Sequence, residues 1–282
     1  MTLCIARGGF SALLKLASSF MTTPGSTLRT LTATRYVTPL REGGSLPAVV
    51  EADDGELYVM KFRGAGQGPK VLVAEILAGE IARTLGFQVP ELVFLELNSA
   101  LARNERNQEI SDLLAASAGL NLGLRFLANA FAFNPLLEPP IPATLASAIV
   151  WFDAYVTNVD RTARNTNLLL WQEDLWLIDH GAALYFHYDW HDYLARSQTP
   201  FTRIKEHVLL EQASLLSTVD AYLRPQLTTE VLRAIVELIP GEWLGDEPSF
   251  ADQEAHRAGY LAYLSHRLAA APMFVEKAEP AP

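Results

Sequence analysis

The 282-residue chain has one cysteine, Cys4, so neither a disulfide framework nor a cysteine-built metal cluster is open to it. That fits a reducing compartment, and the cytoplasm is the expected location. No apolar run is long enough to span a bilayer. Positive charge is also short: 22 Lys and Arg stand against 32 Asp and Glu, a formal net charge of -10. Such a surface repels a phosphate backbone, which argues against a general nucleic-acid binder but leaves room for a local basic nucleotide pocket. Acid is missing in turn from the first 41 residues, which hold Arg7, Lys15, Arg29, Arg35 and Arg41. Within them "FSALLKLASSF" reads either as a weak signal or transit segment, or as a leader ahead of a start at Met21. Residues 1–35 are expected to be a disordered leader, and the Pro/Ala-rich residues 273–282 a disordered tail. No internal repeat is visible.

What the chain does have is apolar residues, at 50% of the total, enough for a sizeable core. "TPLREGGSLPAVVEADDGELYVMKF" predicts a hairpin, with Gly43, Gly44 and Ser45 in one loop and "ADDG" as a turn. After the glycine-rich "RGAGQGPK", "VLVAEILAGEIARTLG" carries Ala74, Leu77, Ala78, Ile81 and Leu85 on one helical face, closed by Gly86. "ELVFLEL" reads as a strand. Beyond it the pattern turns helical: "NQEISDLLAASAG", "PATLASAIVWFDAYV", "HVLLEQASLLSTVDAYLR", "TTEVLRAIVELI" and "EAHRAGYLAYLSHRLAA". The expected fold is α+β, with a small β-rich part over residues 36–98 and a larger helical part over 99–272.

Polar chemistry concentrates in "YVTNVDRTARNTNLLLW" and "LIDHG". If "LLLW" and "LWLI" pair across "QED", Asn167 falls opposite Asp179, with Asp160 and Asn165 at the same mouth. Carboxylate and amide oxygens gathered there suit magnesium, a hard cation. The aspartate-to-asparagine spacing of five, followed by Asp-x-Gly at the next hairpin end, matches the protein-kinase catalytic loop and its metal-binding aspartate. Lys61 in "LYVMKF" lies where a strand would aim it at ATP phosphates, ahead of a glutamate-bearing helix. Glu75 and Glu80 flank that helix's apolar stripe, and periodicity does not choose between them. A rival cluster, His187, Asp189, His191 and Asp192 in "HYDWHDY", could hold a transition metal but has no regular element to fix it. A loop lining the acceptor cleft is the favoured reading.

From about Leu40 to Ala270 the chain resembles the HipA-like kinase family in its short stand-alone form. The resemblance rests on "GGSLPAVVEADDGELYVMKFRGAGQG", "VAEILAGEIARTLGFQVPE", "VTNVDRTARNTNLLLW" and "LIDHG". It implies a bilobed protein-kinase-like fold and an ATP- and magnesium-dependent enzyme, most plainly a serine/threonine kinase. By the same resemblance Lys61 binds phosphates with Glu75 as partner, Asp160 is catalytic, and Asn165 and Asp179 are metal ligands. Gly44, Ser45 and Glu96 join Lys61 and Glu75 as the nucleotide-binding group. The extra N-terminal subdomain of HipA toxins has no room here, so neither a toxin role nor an antitoxin partner is carried over. His180 replaces the phenylalanine that follows this aspartate in many kinases. The acceptor is an unidentified protein or small molecule. A nucleotide-binding pseudokinase and a lipid or small-molecule kinase are the alternatives.

Overall fold

A computed structural model describes residues 27–40, 46–101 and 107–278. The first half builds a closed five-stranded barrel from β1 (Thr30–Pro39), β2 (Ala48–Ala52), β3 (Leu57–Lys61), β4 (Leu92–Leu97) and β5 (Gly119–Arg125). Its order is β1-β2-β3-β5-β4, and the parallel pairing of β1 with β4, Thr30 beside Phe94, closes the ring. Tyr58, Met60, Val93 and Leu95 fill the interior. Space there is tight enough that a Cβ on Gly123 would lie 2.5 Å from the Leu95 side chain. The alternate residues, Val59, Lys61, Leu122 and Leu124, point outward, with Lys61 in register with Leu122.

The barrel departs from the expected boundaries at both ends. β1 begins inside the supposed leader, because its backbone pairs on both sides, with β2 and with β4. β5 lies beyond residue 98 and follows a short helix, α2 (Gln108–Ala116). The loop expected at Gly43–Ser45 lies outside the described residues. Its flanks pair as a hairpin would, with Leu40 N donating to Pro47 O at 2.7 Å.

Between β3 and β4 runs α1 (Pro69–Thr84). Every residue from Leu72 to Gly79 is buried, so the helix is enclosed on all sides and not on one stripe. Gly86 ends it at φ 85°, with Gly86 N donating to Arg83 O and Phe87 N to Ala82 O. These are the two bonds of a Schellman cap.

The helical part is led by α3 (Ala143–Tyr155), buried throughout from Ala146 onward. A three-stranded sheet pairs β6 (Phe131–Ala132) with β7 (Leu168–Trp171) and β7 with β8 (Asp174–Leu177). The later helices are α4 (Tyr193–Ser197), α5 (Leu216–Leu223), α6 (Thr229–Val236) and α7 (Gly241–Leu244), the last two against α1, then α8 (Gln253–Ala269) and finally α9 (Ala271–Ala278), with α5 and α9 packed on α3. The last of these occupies part of the expected tail, because Phe274 is buried with its ring 5.9 Å from that of Trp151. One continuous apolar core joins α1, the outer faces of β4 and β5, α3 and the later helices.

Candidate active site

Lys61 is the last residue of β3, and 7% of it is exposed. Its ammonium donates to Glu75 Oε1 of α1 and, at 2.6 Å, to Asp179 Oδ1 just past β8. Burial works against the Lys61 charge, but the two carboxylates outweigh it and hold the group above the usual lysine range. Burial would likewise raise the fully buried Glu75, yet the Lys61 charge outweighs it and keeps that carboxyl well below the ordinary range. Asp179 keeps its side chain 46% exposed. Its backbone is left-handed, at φ 54°. Gly181 passes so close under α1 that a Cβ would lie 2.6 Å from Val71 Cγ1 and 3.1 Å from Glu75 Oε1. Only a glycine lets this segment approach the helix so nearly.

The loop after α3 forms the second half of the site. Asp160 Oδ2 accepts from Asn165 Nδ2 at 2.7 Å and from Asn167 Nδ2 at 3.2 Å. Beneath the loop lies a fully buried carboxylate, Asp153 of α3. It accepts from Asn158 Nδ2 at 2.8 Å, Arg161 Nε at 2.6 Å and His207 Nε2 at 2.9 Å. His207 Nδ1 accepts from Leu209 N, so the ring proton sits on Nε2 and points at Asp153. Burial raises the Asp153 carboxyl, but Arg161 and His207 more than offset it and hold it at about 2. Asn158 Oδ1 then accepts from Asp160 N at 3.1 Å, and Arg161 donates to Asn167 O. Asp153 thus reaches the Asp160 backbone through one intermediary and the Asn167 backbone through another. Asp160 and Asn165 on this loop, and Asp179 in the Lys61 group, carry carboxylate and amide oxygens, a donor chemistry suited to a hard dication.

A family model described as HipA-like kinase matches residues 34–268. The chain belongs to the HipA-like kinase family. No curated protein matches it. Among solved structures it is similar to the Golgi casein kinase, at 14% identity and a TM-score of 0.46, with 95% of this chain and 74% of that one covered. The Golgi casein kinase with Mn/ADP bound is similar at 13% identity and a TM-score of 0.47, with 95% and 75% covered.

For this HipA-like chain the expected residues fall into two contact groups, Lys61 with Glu75 and Asp179, and Asp160 with Asn165. The choice between glutamates is geometric: Glu75 meets Lys61, whereas Glu80 pairs with Arg83 at 3.1 Å. Gly44 and Ser45 lie outside the described residues. Glu96 is exposed on β4, in register with Leu120, while Lys61 is in register with Leu122. β5 separates the two strands, so Glu96 is about 10 Å across the sheet from Lys61 and outside both groups.

The hairpin register differs by one residue from that expected. Leu168 pairs with Leu177, which sets Asn167 opposite Ile178 and not Asp179. The cause is a two-residue turn, Gln172 and Glu173, both at positive φ, where three residues were expected. In "HYDWHDY", His187 is buried against Tyr260, while His191 and Asp192 are exposed. No group of three His, Cys, Asp or Glu able to hold a metal occurs among the described residues. Asp153, Asn158, Arg161 and His207 formed no part of the expected site. The signal was available: an aspartate inside the apolar "AIVWFDAYV" must find a buried partner.

Proposed function

We propose that the chain is a bilobed, ATP- and magnesium-dependent kinase that transfers the γ-phosphoryl group to a hydroxyl, with a protein serine or threonine as acceptor. The observation that carries the reading is Lys61 of β3 held between Glu75 and Asp179, the latter just past the β7–β8 hairpin, together with the Asp160–Asn165 pair in the loop after α3. Lys61 binds the phosphates, and Glu75 keeps its ammonium aimed. Asn165 and Asp179 would hold magnesium, and Gly44 and Ser45 would contribute to nucleotide binding. A bound dication would supply neutralisation of phosphate charge. Asp160 orients the acceptor hydroxyl and takes its proton as the new oxygen–phosphorus bond forms. The bond to the β-phosphate oxygen breaks, and ADP leaves. Positioning and charge neutralisation supply most of the rate. Among the described residues no helix is long and apolar enough to cross a membrane.

Asp160→Asn tests the assignment, because an amide fills the same volume. ATP affinity should stay nearly unchanged, while single-turnover transfer at saturating ATP drops by roughly 10²-fold or more. Transfer at the wild-type rate would remove Asp160 from the chemistry and, with it, most of the case.

A further inference from the structure

Lys70 stands at the wrong end of α1 for a cation. It is the second residue of the helix, where the macrodipole is positive, and no acid occupies that first turn. Its ammonium is nonetheless engaged. Nζ donates to His187 O at 2.6 Å, pairs with Glu247 Oε2 at 3.3 Å and lies 5.7 Å from the centre of the Tyr188 ring. Tyr188 in turn donates its hydroxyl to Gln67 Oε1 at 2.8 Å, just ahead of the helix.

Two features connect this contact with Lys61. The segment from Asp179 to Tyr188 touches α1 repeatedly: His180 Nδ1 lies 3.8 Å from Glu75 Oε2, Gly181 lies under Val71 and Glu75, and the His187 carbonyl meets Lys70. Glu75 follows Lys70 by five residues, less than a turn and a half along a rigid helix. The stretch holding Glu247 also grips the barrel. Glu242 pairs with Arg63, and the Trp243 indole donates to Leu120 O at 3.2 Å. Residues 242–247 therefore hold the outer face of the barrel and the first turn of α1 to the same neighbouring helices.

We propose that Lys70 is a positioning residue. By joining α1 to the His187 carbonyl and to Glu247, it fixes the depth of the helix and so keeps Glu75 on Lys61. This rests on the kinase reading above, since it is the Lys61–Glu75 contact that the link would serve. Lys70 itself touches neither nucleotide nor acceptor in this account. Its loss should affect the rate of turnover and not recognition of the base.

The test uses the full chain with Lys70→Met, Lys70→Arg and Glu247→Gln. Two readouts are taken: amide hydrogen exchange across α1, and ATP turnover to ADP with magnesium, resolved into kcat and KM. Lys70→Met should speed exchange over residues 70–78 at least tenfold and lower kcat roughly tenfold or more, as misplacement of a positioning group does. Adenosine affinity should stay within about twofold. Lys70→Arg, which reaches the same acceptors, should restore most of kcat. Glu247→Gln should act in the same direction more weakly, and combining it with Lys70→Met should add little. It also leaves Lys70 in place should Lys70→Met fail to fold. Wild-type kcat and exchange in Lys70→Met would overturn the proposal, as would equal impairment by Met and Arg. If the wild-type protein neither binds nor turns over ATP while Lys70→Met still loosens α1, the kinase reading fails and the link to α1 stands.

Discussion

Asp153→Ala should be among the most damaging single changes in the helical part, although the residue touches no expected ligand. Asp153 and Arg161 are both fully buried at their side chains and lie 2.6 Å apart. Truncation leaves the Arg161 charge uncompensated, on a guanidinium whose Nη2 already has no partner. It also strands the amide of Asn158 and the Nε2–H of His207. Breaking one side of a buried ion pair costs about 3–5 kcal/mol. For a chain of this size that corresponds to a fall in Tm of roughly 5–8 °C. Denaturant unfolding and calorimetry measure it directly. A loss below about 1 kcal/mol would show that the network does not hold the loop.

The same carboxylate carries a pH signature. Its folded pKa of about 2 lies below the ordinary 3.8, so the ionised form is favoured in the native state. The stabilisation is present above pH ~4 and is lost as pH falls toward ~2, amounting to about 2 kcal/mol at roughly 1.4 kcal/mol per pH unit. Unfolding measured from pH 5 down to 2 should therefore fall more steeply in wild type than in Asp153→Asn. Parallel curves would refute the assignment.

Lys61→Ala should weaken ATP by roughly 10- to 150-fold, the value of one charge-assisted hydrogen bond, while adenosine loses little. Calorimetry with both ligands decides, and equal loss would make Lys61 a folding residue only. Gly181→Ala places a methyl against Val71 and the Glu75 carboxylate, so stability should fall by about 1–3 kcal/mol, with ATP turnover falling alongside it. Unchanged unfolding and turnover would mean that α1 gives way at no cost.

Much of the site was legible because its residues sit at or just beyond the ends of short elements. Lys61 closes a strand, Asp160 follows a helix, and Asp179 follows a hairpin, each marked by an apolar run that stops. What was illegible has physical reasons. β5 was not recognised because Gly119, Asn121 and Gly123 dilute its strand pattern; Gly123 is there because the barrel interior has no room for a side chain. β1 was hidden in an acid-free stretch that composition alone likens to a leader. The register slip arose because Gln172 and Glu173 adopt a turn usually signalled by Asn-Gly. Periodicity failed for Glu75 and Glu80 because α1 is enclosed on all sides, so burial distinguishes no face.

The charge balance of the assembled site adds a constraint that no single motif expresses. At the outward end of β3, one lysine faces Glu75 and Asp179, and the proposed mechanism brings Asp160 of the loop after α3 to the same nucleotide as a third carboxylate. Within contact range of a polyphosphate, carboxylates therefore outnumber the ammonium, and in a chain of net charge -10 no distant surplus of cations corrects the sum. Fixed negative charge next to phosphate is repulsive at any plausible effective dielectric. Lys61 brings one positive charge to Glu75 and Asp179 together, so two negative charges of the three carboxylates stay in excess. Asp160 lies beside an amide, Asn165, that offers one more hard oxygen. On the proposed kinase reading, a dication bound at the site would turn that excess from an obstacle to nucleotide binding into its anchor, and Asp179, half exposed and paired with Lys61, would be the carboxylate to hold it.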